Sequence, residues 1–163
     1  MGIELYRIDD RLVHGQVVLG WGQPLSLGFV VLVDDQVAVS DWEQELYRMA
    51  VPPEMDIYFS SVADAVGRLP GWQEDTRKGI LITGDIESMS RLVQRASRIA
   101  EVNLGGIHHR SDRAQKLRYV YLTRDEESAL RALTARGVEV SARDVPASRA
   151  VPLSELLDGG GVT

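Results

Sequence analysis

The chain has 163 residues, of which 44% are hydrophobic and 26% charged, and this balance is typical of a soluble globular protein with a buried core. The absence of cysteine excludes disulfides, thiolate metal ligands and a cysteine nucleophile. The net charge of −6 argues against non-specific nucleic-acid binding, and neither a signal peptide nor an apolar run of membrane-spanning length is apparent, so we expect a cytoplasmic protein.

Apolar runs of strand length alternate with segments of helical period through the first half of the chain. This alternation predicts strands at residues 3–8, 29–33 and 55–60, and helices at residues 16–22, 41–50 and 62–69. In the second of these helices, Trp42, Leu46 and Met49 recur at the i, i+4, i+7 spacing of an amphipathic helix. Ser61 lies three residues before Asp64, which predicts a capped start for the third helix.

The second half of the chain continues the alternation. It predicts strands at residues 79–83, 100–106, 117–122 and 138–145, and helices at residues 85–97 and 125–136. Asp85 is expected to cap the first of these helices. Thr123 and Glu126 form a T-x-x-E capping box for the second, and Gly137 lies where a glycine commonly ends a helix.

The regular alternation of strands and helices predicts an α/β fold. We expect three αβα layers, with a mostly parallel central sheet of about six to seven strands and helices on both faces. One domain is predicted over residues 1–158, followed by a flexible tail over residues 159–163. Folds of this class bind ligands beyond the carboxyl ends of their strands. Those ends are predicted at residues 8–10, 33–35, 60–61, 83–85 and 103–106.

The segment "RIDDRLVHGQ" (residues 7–16) follows the first predicted strand and brings His14 to this edge of the sheet. An imidazole with an ordinary pKa of about 6.5 can act as a neutral nucleophile or base near neutral pH, and it can carry a phosphoryl group. Arg11, three residues earlier, can bind phosphate oxygens through its forked guanidinium. His14 and Arg11 are therefore the candidate catalytic residues.

Four neighbouring residues are candidates for binding the phosphate or orienting the imidazole. Asp9 or Asp10 can hold the imidazole or Arg11 by a hydrogen bond, and the spacing alone leaves open which of them does so. Gly15 allows close approach of the backbone, and the N–H groups from Gly15 and Gln16 onward lie at the positive end of the helix dipole. The same pattern also fits an ordinary polar turn, in which an aspartate caps the turn and the histidine is a surface side chain.

Other residues suggest weaker alternatives. His108 and His109 are adjacent, so in an extended segment they point to opposite faces, and a zinc site is not expected. Asp34 and Asp35 end a strand, where they fit either magnesium binding or entry into a helix. The chain has no G-x-G-x-x-G after a strand, no P-loop and no G-x-S-x-G elbow, which argues against a nucleotide-binding domain or an α/β-hydrolase.

The segment "RIDDRLVHGQV" resembles the signature of the IIB subunits in the mannose/fructose/sorbose family of the bacterial phosphoenolpyruvate-dependent sugar phosphotransferase system (PTS). The motif I-D-D-R-L-x-H-G-Q is long, and it lies near the N-terminus as in that family. Further stretches resemble the same family in order, so the resemblance covers nearly the whole chain: "VLVDDQVA" (31–38), "RMAVPP" (48–53), "VNLGGIH" (102–108) and "RGVEVSARDVP" (136–146).

In that family the motif histidine takes a phosphoryl group from a phosphohistidine of a IIA protein and passes it to a sugar at the membrane permease formed by IIC and IID. The resemblance implies a transferase in which His14 carries the phosphoryl group on Nδ1 and Arg11 steadies it, with no metal or other cofactor. It also implies a protein associated with the permease at the membrane, as a monomer or a homodimer. Asp34, Ser60 and Thr83, at neighbouring strand ends, fit a hydrogen bond to phosphate and a helix cap equally well.

The chain departs from the family pattern after "NLGGIH". Many members have an apolar or aromatic residue in place of His109, and a glycine-containing, lysine-bearing turn in place of residues 110–116. Because this segment borders the expected site, it bears on the choice of partner or sugar. Two other functions stay open: a regulatory module whose phosphorylation state is read by another protein, and an acid–base enzyme that uses His14 with Asp10 in a closed pocket.

Overall fold

The computed structural model describes residues 2–96 and 98–158. Within them are nine strands: β1 (Gly2–Ile8), β2 (Phe29–Val33), β3 (Asp56–Ser60), β4 (Lys78–Thr83), β5 (Glu101–Leu104), β6 (Ala114–Leu117), β7 (Val120–Leu122), β8 (Glu139–Ala142) and β9 (Val151–Pro152). The helices of the same residues are α1 (Gly15–Leu25), α2 (Asp41–Ala50), α3 (Val62–Gln73), α4 (Ile86–Arg95), α5 (Arg124–Ala135) and α6 (Leu153–Asp158). A 3₁₀ turn (Val37–Val39) precedes α2. The tail predicted at residues 159–163 lies outside the described residues.

Seven of these strands form one sheet in the order β3-β2-β4-β1-β5-β8-β9. All of its pairings are parallel except that of β8 with β9. This confirms the predicted α/β class and the mostly parallel sheet. At the end of β1, Ile8 is level with Thr83 of β4 on one side and with Leu104 of β5 on the other. The carboxyl ends of β1, β4 and β5 therefore meet, and we call this border of the sheet the carboxyl edge.

Two helical layers cover the sheet, as the strand pattern requires. All five side chains of β2 are buried, because both faces of the strand are covered. Val30 and Leu32 face the layer of α1 and α2, whereas Phe29, Val31 and Val33 face the layer of α3 to α6. Each such side chain contributes about 1.5–3 kcal/mol when it leaves water, so the core is the main source of stability.

The helix boundaries confirm the predicted caps. The hydroxyl of Ser61 accepts a hydrogen bond from the Asp64 amide, and the Asp85 carboxylate accepts one from the Ser88 amide. Thr123 and Glu126 form both hydrogen bonds of the capping box at the start of α5. Gly137 follows α5 with a φ of +91°, a left-handed conformation that glycine adopts without strain. Every helix in residues 2–96 and 98–158 is too short or too polar to cross a bilayer.

The predicted strand at residues 117–122 is wrong in its pairing. These residues contribute to an antiparallel hairpin, β6 and β7, which forms a separate two-stranded sheet. The prediction failed because alternating apolar residues indicate an extended conformation without indicating the partner strand. The last predicted strand, residues 138–145, ends at Ala142 as β8, and β9 then adds an antiparallel edge that was not predicted.

The apolar stripe of α2 does not lie on the core. Trp42 is 68% exposed, Leu46 53% and Met49 80%, and α2 has no buried residue. Tyr47 and Ala50 are partly buried and attach the helix to the core. An apolar stripe at this spacing normally faces the protein interior, so its exposure has to be explained by something outside this chain.

Candidate functional site

The segment that follows β1 is held between its two neighbouring strands. The Asp9 amide donates to the Thr83 carbonyl, and the Asp10 amide donates to the Gly106 carbonyl, both at 2.9 Å. Leu12 then adopts a φ of +57°, which costs a leucine on the order of 1–3 kcal/mol. This left-handed residue turns the chain so that His14 becomes the N-cap of α1.

The His14 imidazole is partly exposed, with one of its nitrogens buried. Its Nε2 lies 3.7 Å from Asp9 Oδ2, is shielded from solvent and has no hydrogen-bond partner among the described residues. The side chain is nevertheless 22% exposed, and it does not cap the helix. The exposed part of the side chain therefore excludes Nε2, and Nδ1 is the other ring nitrogen.

Asp9 is fully buried and joins the histidine to two arginines. Its Oδ1 accepts hydrogen bonds from the backbone N and the Nε of Arg11, at 3.1 and 3.0 Å. Its Oδ2 accepts from Nη2 of Arg11 at 2.9 Å and from Nη2 of Arg7 at 3.0 Å. Burial acts to raise the pKa of the Asp9 carboxyl, but His14, Arg11 and Arg7 outweigh it and hold that pKa far below its ordinary value. Asp9 is therefore a permanent anion behind the imidazole.

Arg7 is a site residue that the sequence reasoning missed. Its side chain is buried, and its guanidinium donates a hydrogen bond to Asn103 Oδ1. It also donates to the carbonyl of Arg143 at 2.9 Å and to the carbonyl of Asp144 at 3.0 Å. The same guanidinium lies 5.3 Å from the centre of the Trp21 ring. Burial lowers the pKa of Arg7, and the charge of Asp9 offsets part of this effect.

Arg11 differs from Arg7 in its access to solvent. Its side chain is 39% exposed, and its Nη2 also lies 3.7 Å from Asp144 Oδ1. The hydrogen bond to Asp9 raises the pKa of Arg11 above its ordinary value, so the guanidinium is charged at any physiological pH. Arg11 is thus a cation held by the buried aspartate on one side and reachable by an anion at the carboxyl edge.

The two glycines of "NLGG" make room for these two arginines. A Cβ at Gly105 would lie 2.3 Å from Arg7 Nη2, and a Cβ at Gly106 would lie 3.1 Å from Arg11 Nε. The first distance is far shorter than ordinary van der Waals contact, and the second is shorter by a few tenths of an ångström. The glycine turn after β5 is therefore part of the site, because it allows the backbone to pack against the guanidinium groups.

We expect Gly105→Ala to destabilise the protein more than Gly106→Ala. Arg7 is buried and held on several sides, so it cannot yield to a new methyl group, and such overpacking costs about 1–3 kcal/mol. Arg11 is partly exposed and can shift, so Gly106→Ala serves as the matched control. Urea unfolding of both variants measures the difference; equal losses of stability would contradict this account of the turn.

Asp10 does not face His14. Its Oδ2 accepts a hydrogen bond from the backbone N of His108 at 2.7 Å and is also in contact with Nδ1 of that ring. Of the two candidate aspartates, Asp9 therefore faces the imidazole and Asp10 anchors the segment after β5. The ring of His109 packs edge-on against Tyr121, with the ring centres 5.5 Å apart. Residues 2–96 and 98–158 contain no group of three or more His, Asp or Glu side chains placed to hold a metal ion.

The acids and hydroxyls at the other strand ends form local contacts. Oδ1 of Asp34 accepts from the amides of Gln36 and Val37 at the start of the 3₁₀ turn, and Asp35 accepts from the Val62 amide at the start of α3. Asp34 and Asp35 thus form hydrogen bonds at the starts of helical segments, which fits helix entry, the alternative to magnesium binding for these two residues. The hydroxyl groups of Ser60 and Thr83 also bind nearby backbone. Ser60 donates to the Ser61 carbonyl at 2.8 Å, and Thr83 donates to the Asp85 carbonyl at 3.1 Å.

Gly15 leaves open space beside the imidazole. A Cβ added there would meet nothing within 4 Å, so no contact within the chain requires a glycine. The side chain of Gln16 lies outside what the structure describes. With His14 as N-cap, α1 begins next to the imidazole, and the unpaired amides of its first turn and the positive end of its dipole lie beside the ring.

Comparison with known proteins places the chain in one family. Residues 3–161 match the family model described as "PTS system sorbose subfamily IIB component". The sorbose-specific EIIB component of Klebsiella pneumoniae is 30% identical over 160 residues, which cover 97% of this chain and 96% of that protein. The N-acetylgalactosamine-specific phosphotransferase enzyme IIB component 1 of Escherichia coli is 33% identical over 147 residues, covering 88% and 91%.

A longer relative and two solved structures show the same similarity. The mannose-specific EIIAB component of Escherichia coli is 28% identical over 96% of this chain, but the chain spans only 49% of that protein. The IIBSor domain of the sorbose permease from Klebsiella pneumoniae superimposes with a TM-score of 0.88 at 28% identity, covering 99% of both chains. The N-acetylgalactosamine-specific IIB component 1 from Escherichia coli has a TM-score of 0.85 at 31% identity, covering 91% of this chain and 97% of its own.

Proposed function

This chain belongs to the sorbose subfamily of PTS IIB components, which are phosphotransferases, and we propose that it carries a phosphoryl group on Nδ1 of His14. The donor is the phosphohistidine of a IIA protein, and the acceptor is a sugar at a IIC/IID permease. The observation that carries this proposal is the placement of the imidazole, whose Nε2 is enclosed beside buried Asp9 although the side chain is 22% exposed.

Asp9 sets the reactive form of His14. A buried carboxylate beside Nε2 favours the proton on that nitrogen, which leaves a lone pair on Nδ1. In the first transfer, Nδ1 attacks phosphorus in line, and the bond from phosphorus to the donor nitrogen breaks with its electron pair returning to the donor ring. The positive charge that develops on the His14 ring is stabilised by Asp9.

Arg11 and the start of α1 meet the charge of the phosphoryl group. The guanidinium is a permanent cation at the carboxyl edge, and the first amides of α1 supply hydrogen-bond donors beside the ring. Protein catalysis of phosphoryl transfer consists mainly of such positioning and charge stabilisation, and no metal ion is needed for it here.

The second transfer passes the phosphoryl group on to the sugar. A sugar hydroxyl oxygen attacks phosphorus, the electron pair of the P–Nδ1 bond returns to His14, and the hydroxyl proton is released to water. Gly15, next to His14, is exposed and has open space where a side chain would lie. A regulatory module with the same fold would share the first transfer, so transfer onto sugar is the step that separates the two functions.

We expect Arg11→Ala to slow transfer from phospho-IIA by about 10²-fold or more, because the phosphoryl charge loses a permanent cation. The initial rate of labelling with radioactive phosphate measures this effect. Arg131→Ala is the matched control, since Arg131 is an exposed residue of α5, which packs on the opposite face of the sheet from α1. A rate for Arg11→Ala equal to that of the control would remove Arg11 from the mechanism.

A further inference from the structure

Exposed apolar side chains are confined to one helical layer. In the described part of the chain, the large hydrophobic residues that are more than half exposed are Leu19, Val39, Trp42, Leu46 and Met49. Leu19 lies on α1, and the other four lie on the 3₁₀ turn and α2. The layer of α3 to α6 contributes none of them, although it covers the other face of the same sheet.

Four of these residues form a continuous row, which we call the α2 stripe: Val39, Trp42, Leu46 and Met49. Within α2, Trp42, Leu46 and Met49 are spaced four and three residues apart, as in an apolar seam between packed helices. Val39, on the 3₁₀ turn just before α2, is 85% exposed. Isolated apolar residues on a surface are ordinary, whereas a contiguous row containing a tryptophan indicates an interaction surface.

The α2 stripe begins at the carboxyl edge that holds His14. The 3₁₀ turn follows the end of β2, and β2 is separated from β1 only by β4, so the two strand ends lie about 10 Å apart. From there α2 runs back along the side of the molecule for 10 residues, about 15 Å. A partner seated on the stripe would therefore contact the side of the protein and reach the edge from which the phosphoryl group leaves.

The charges beside the stripe select the kind of partner. Asp41, Glu43 and Glu45 lie on α2, and its basic residue Arg48 is paired with Glu45 at 2.6 Å. An acidic border repels anionic lipid, and two copies of the same surface would bring like charges together. A protein surface with an apolar groove bordered by lysine or arginine complements it. Cytoplasmic loops of membrane proteins carry such an excess of basic residues.

We propose that the α2 stripe docks this chain onto the cytoplasmic surface of the IIC/IID permease, and this inference rests on the proposed phosphocarrier function. A phosphodonor must dissociate in each cycle, which favours a small contact around His14 alone. The permease can stay bound through successive cycles, and a lasting contact favours buried apolar area with a tryptophan near its centre.

The test compares two double variants of the exposed stripe, Trp42→Ser/Met49→Ser and the apolar control Trp42→Phe/Met49→Leu. Binding is measured by co-sedimentation with membrane vesicles that contain the IIC/IID permease encoded with this chain, and with vesicles that lack it. We expect the serine variant to bind permease vesicles about tenfold or more weakly, as is typical when an interface tryptophan is lost. The control should bind like the wild type. Labelling by phospho-IIA should be unchanged in both variants, because His14 and Arg11 are untouched.

Tryptophan fluorescence adds a direct reading of the contact. Trp21 and Trp72 are buried, so a blue shift on adding permease vesicles should come from Trp42. The proposal is overturned if the serine variant binds permease vesicles normally, or if the wild type binds vesicles that lack the permease equally well. It is also overturned if the serine variant loses affinity only for IIA, or if the wild type is a dimer that the serine substitutions dissociate. Failure of the wild type to accept phosphate from phospho-IIA would instead overturn the proposed function.

Discussion

His14→Asn is expected to accept no phosphate from phospho-IIA and to support no sugar phosphorylation, while folding normally. The variant loses the proposed nucleophilic nitrogen, and the other exposed imidazole of the site, His108, has its Nδ1 in contact with Asp10. Stability should fall less than in Asp9→Asn, since Nε2 of His14 lies 3.7 Å from Asp9 Oδ2, beyond hydrogen-bond distance, and the side chain does not cap α1. Acid-labile phosphate and the thermal unfolding midpoint are the two measurements.

The chain supplies its own matched control for this substitution. It contains three histidines, and the ring of His109 packs edge-on against Tyr121. His109→Asn should therefore be labelled at the wild-type rate. Label that persists in His14→Asn, or that disappears from His109→Asn instead, would contradict the assignment.

Asp9→Asn is expected to be the most destabilising single substitution in the site, at about 3–5 kcal/mol. It leaves the buried Arg7 guanidinium without its counter-charge, and breaking one partner of a buried ion pair has costs of this size. It also removes the anion behind His14, so transfer should slow even where the variant is folded. Asp112→Asn, at an exposed pair with Arg110, should change stability by less than about 1 kcal/mol.

The stabilising effect of Asp9 depends on pH in a defined direction. The pKa of the Asp9 carboxyl is lower in the folded protein than in the unfolded chain. The contribution of Asp9 to the free energy of unfolding is therefore fully present when the pH is above the ordinary pKa of a carboxyl group, and it is lost as the pH falls toward the lower pKa of the folded protein. The difference in unfolding free energy between wild type and Asp9→Asn should therefore shrink as urea unfolding is moved from pH 7 to pH 3. A difference that stays constant or grows at low pH would contradict the role of Asp9.

Adding Arg7→Met to Asp9→Asn should recover part of the lost stability, since the unpaired charge is then removed.

The strands and caps were predictable because their signals are local. The apolar run of β2 and the Ser61 and Asp85 caps need only the chemistry of neighbouring residues, and each is found where it was predicted. The hairpin of β6 and β7 was mispaired, because strand partners are chosen by packing and not by local pattern. The exposure of the α2 stripe could not be predicted either, because helical periodicity is the same on a buried and on an interacting face.

The site was predictable only in part, for a similar reason. His14 and Arg11 belong to one short motif, but the choice between Asp9 and Asp10 depends on where β4 and β5 hold the chain. Arg7 reads as a strand residue, and its partners Asn103 and Asp144 lie about a hundred residues or more away in sequence. A charged residue inside a strand with both faces covered is the signal that could have identified it.

The most direct test of the phosphocarrier mechanism is to locate the phosphate on the ring of His14 by NMR. The protein is labelled with ¹⁵N-histidine and phosphorylated by phospho-IIA, and the ring nitrogen that bears phosphorus is identified from its chemical shift and coupling. We predict a single phosphohistidine, at His14, linked through Nδ1 because Nε2 is enclosed against Asp9. A phosphate on Nε2 of His14, or on His108 or His109, would contradict this mechanism.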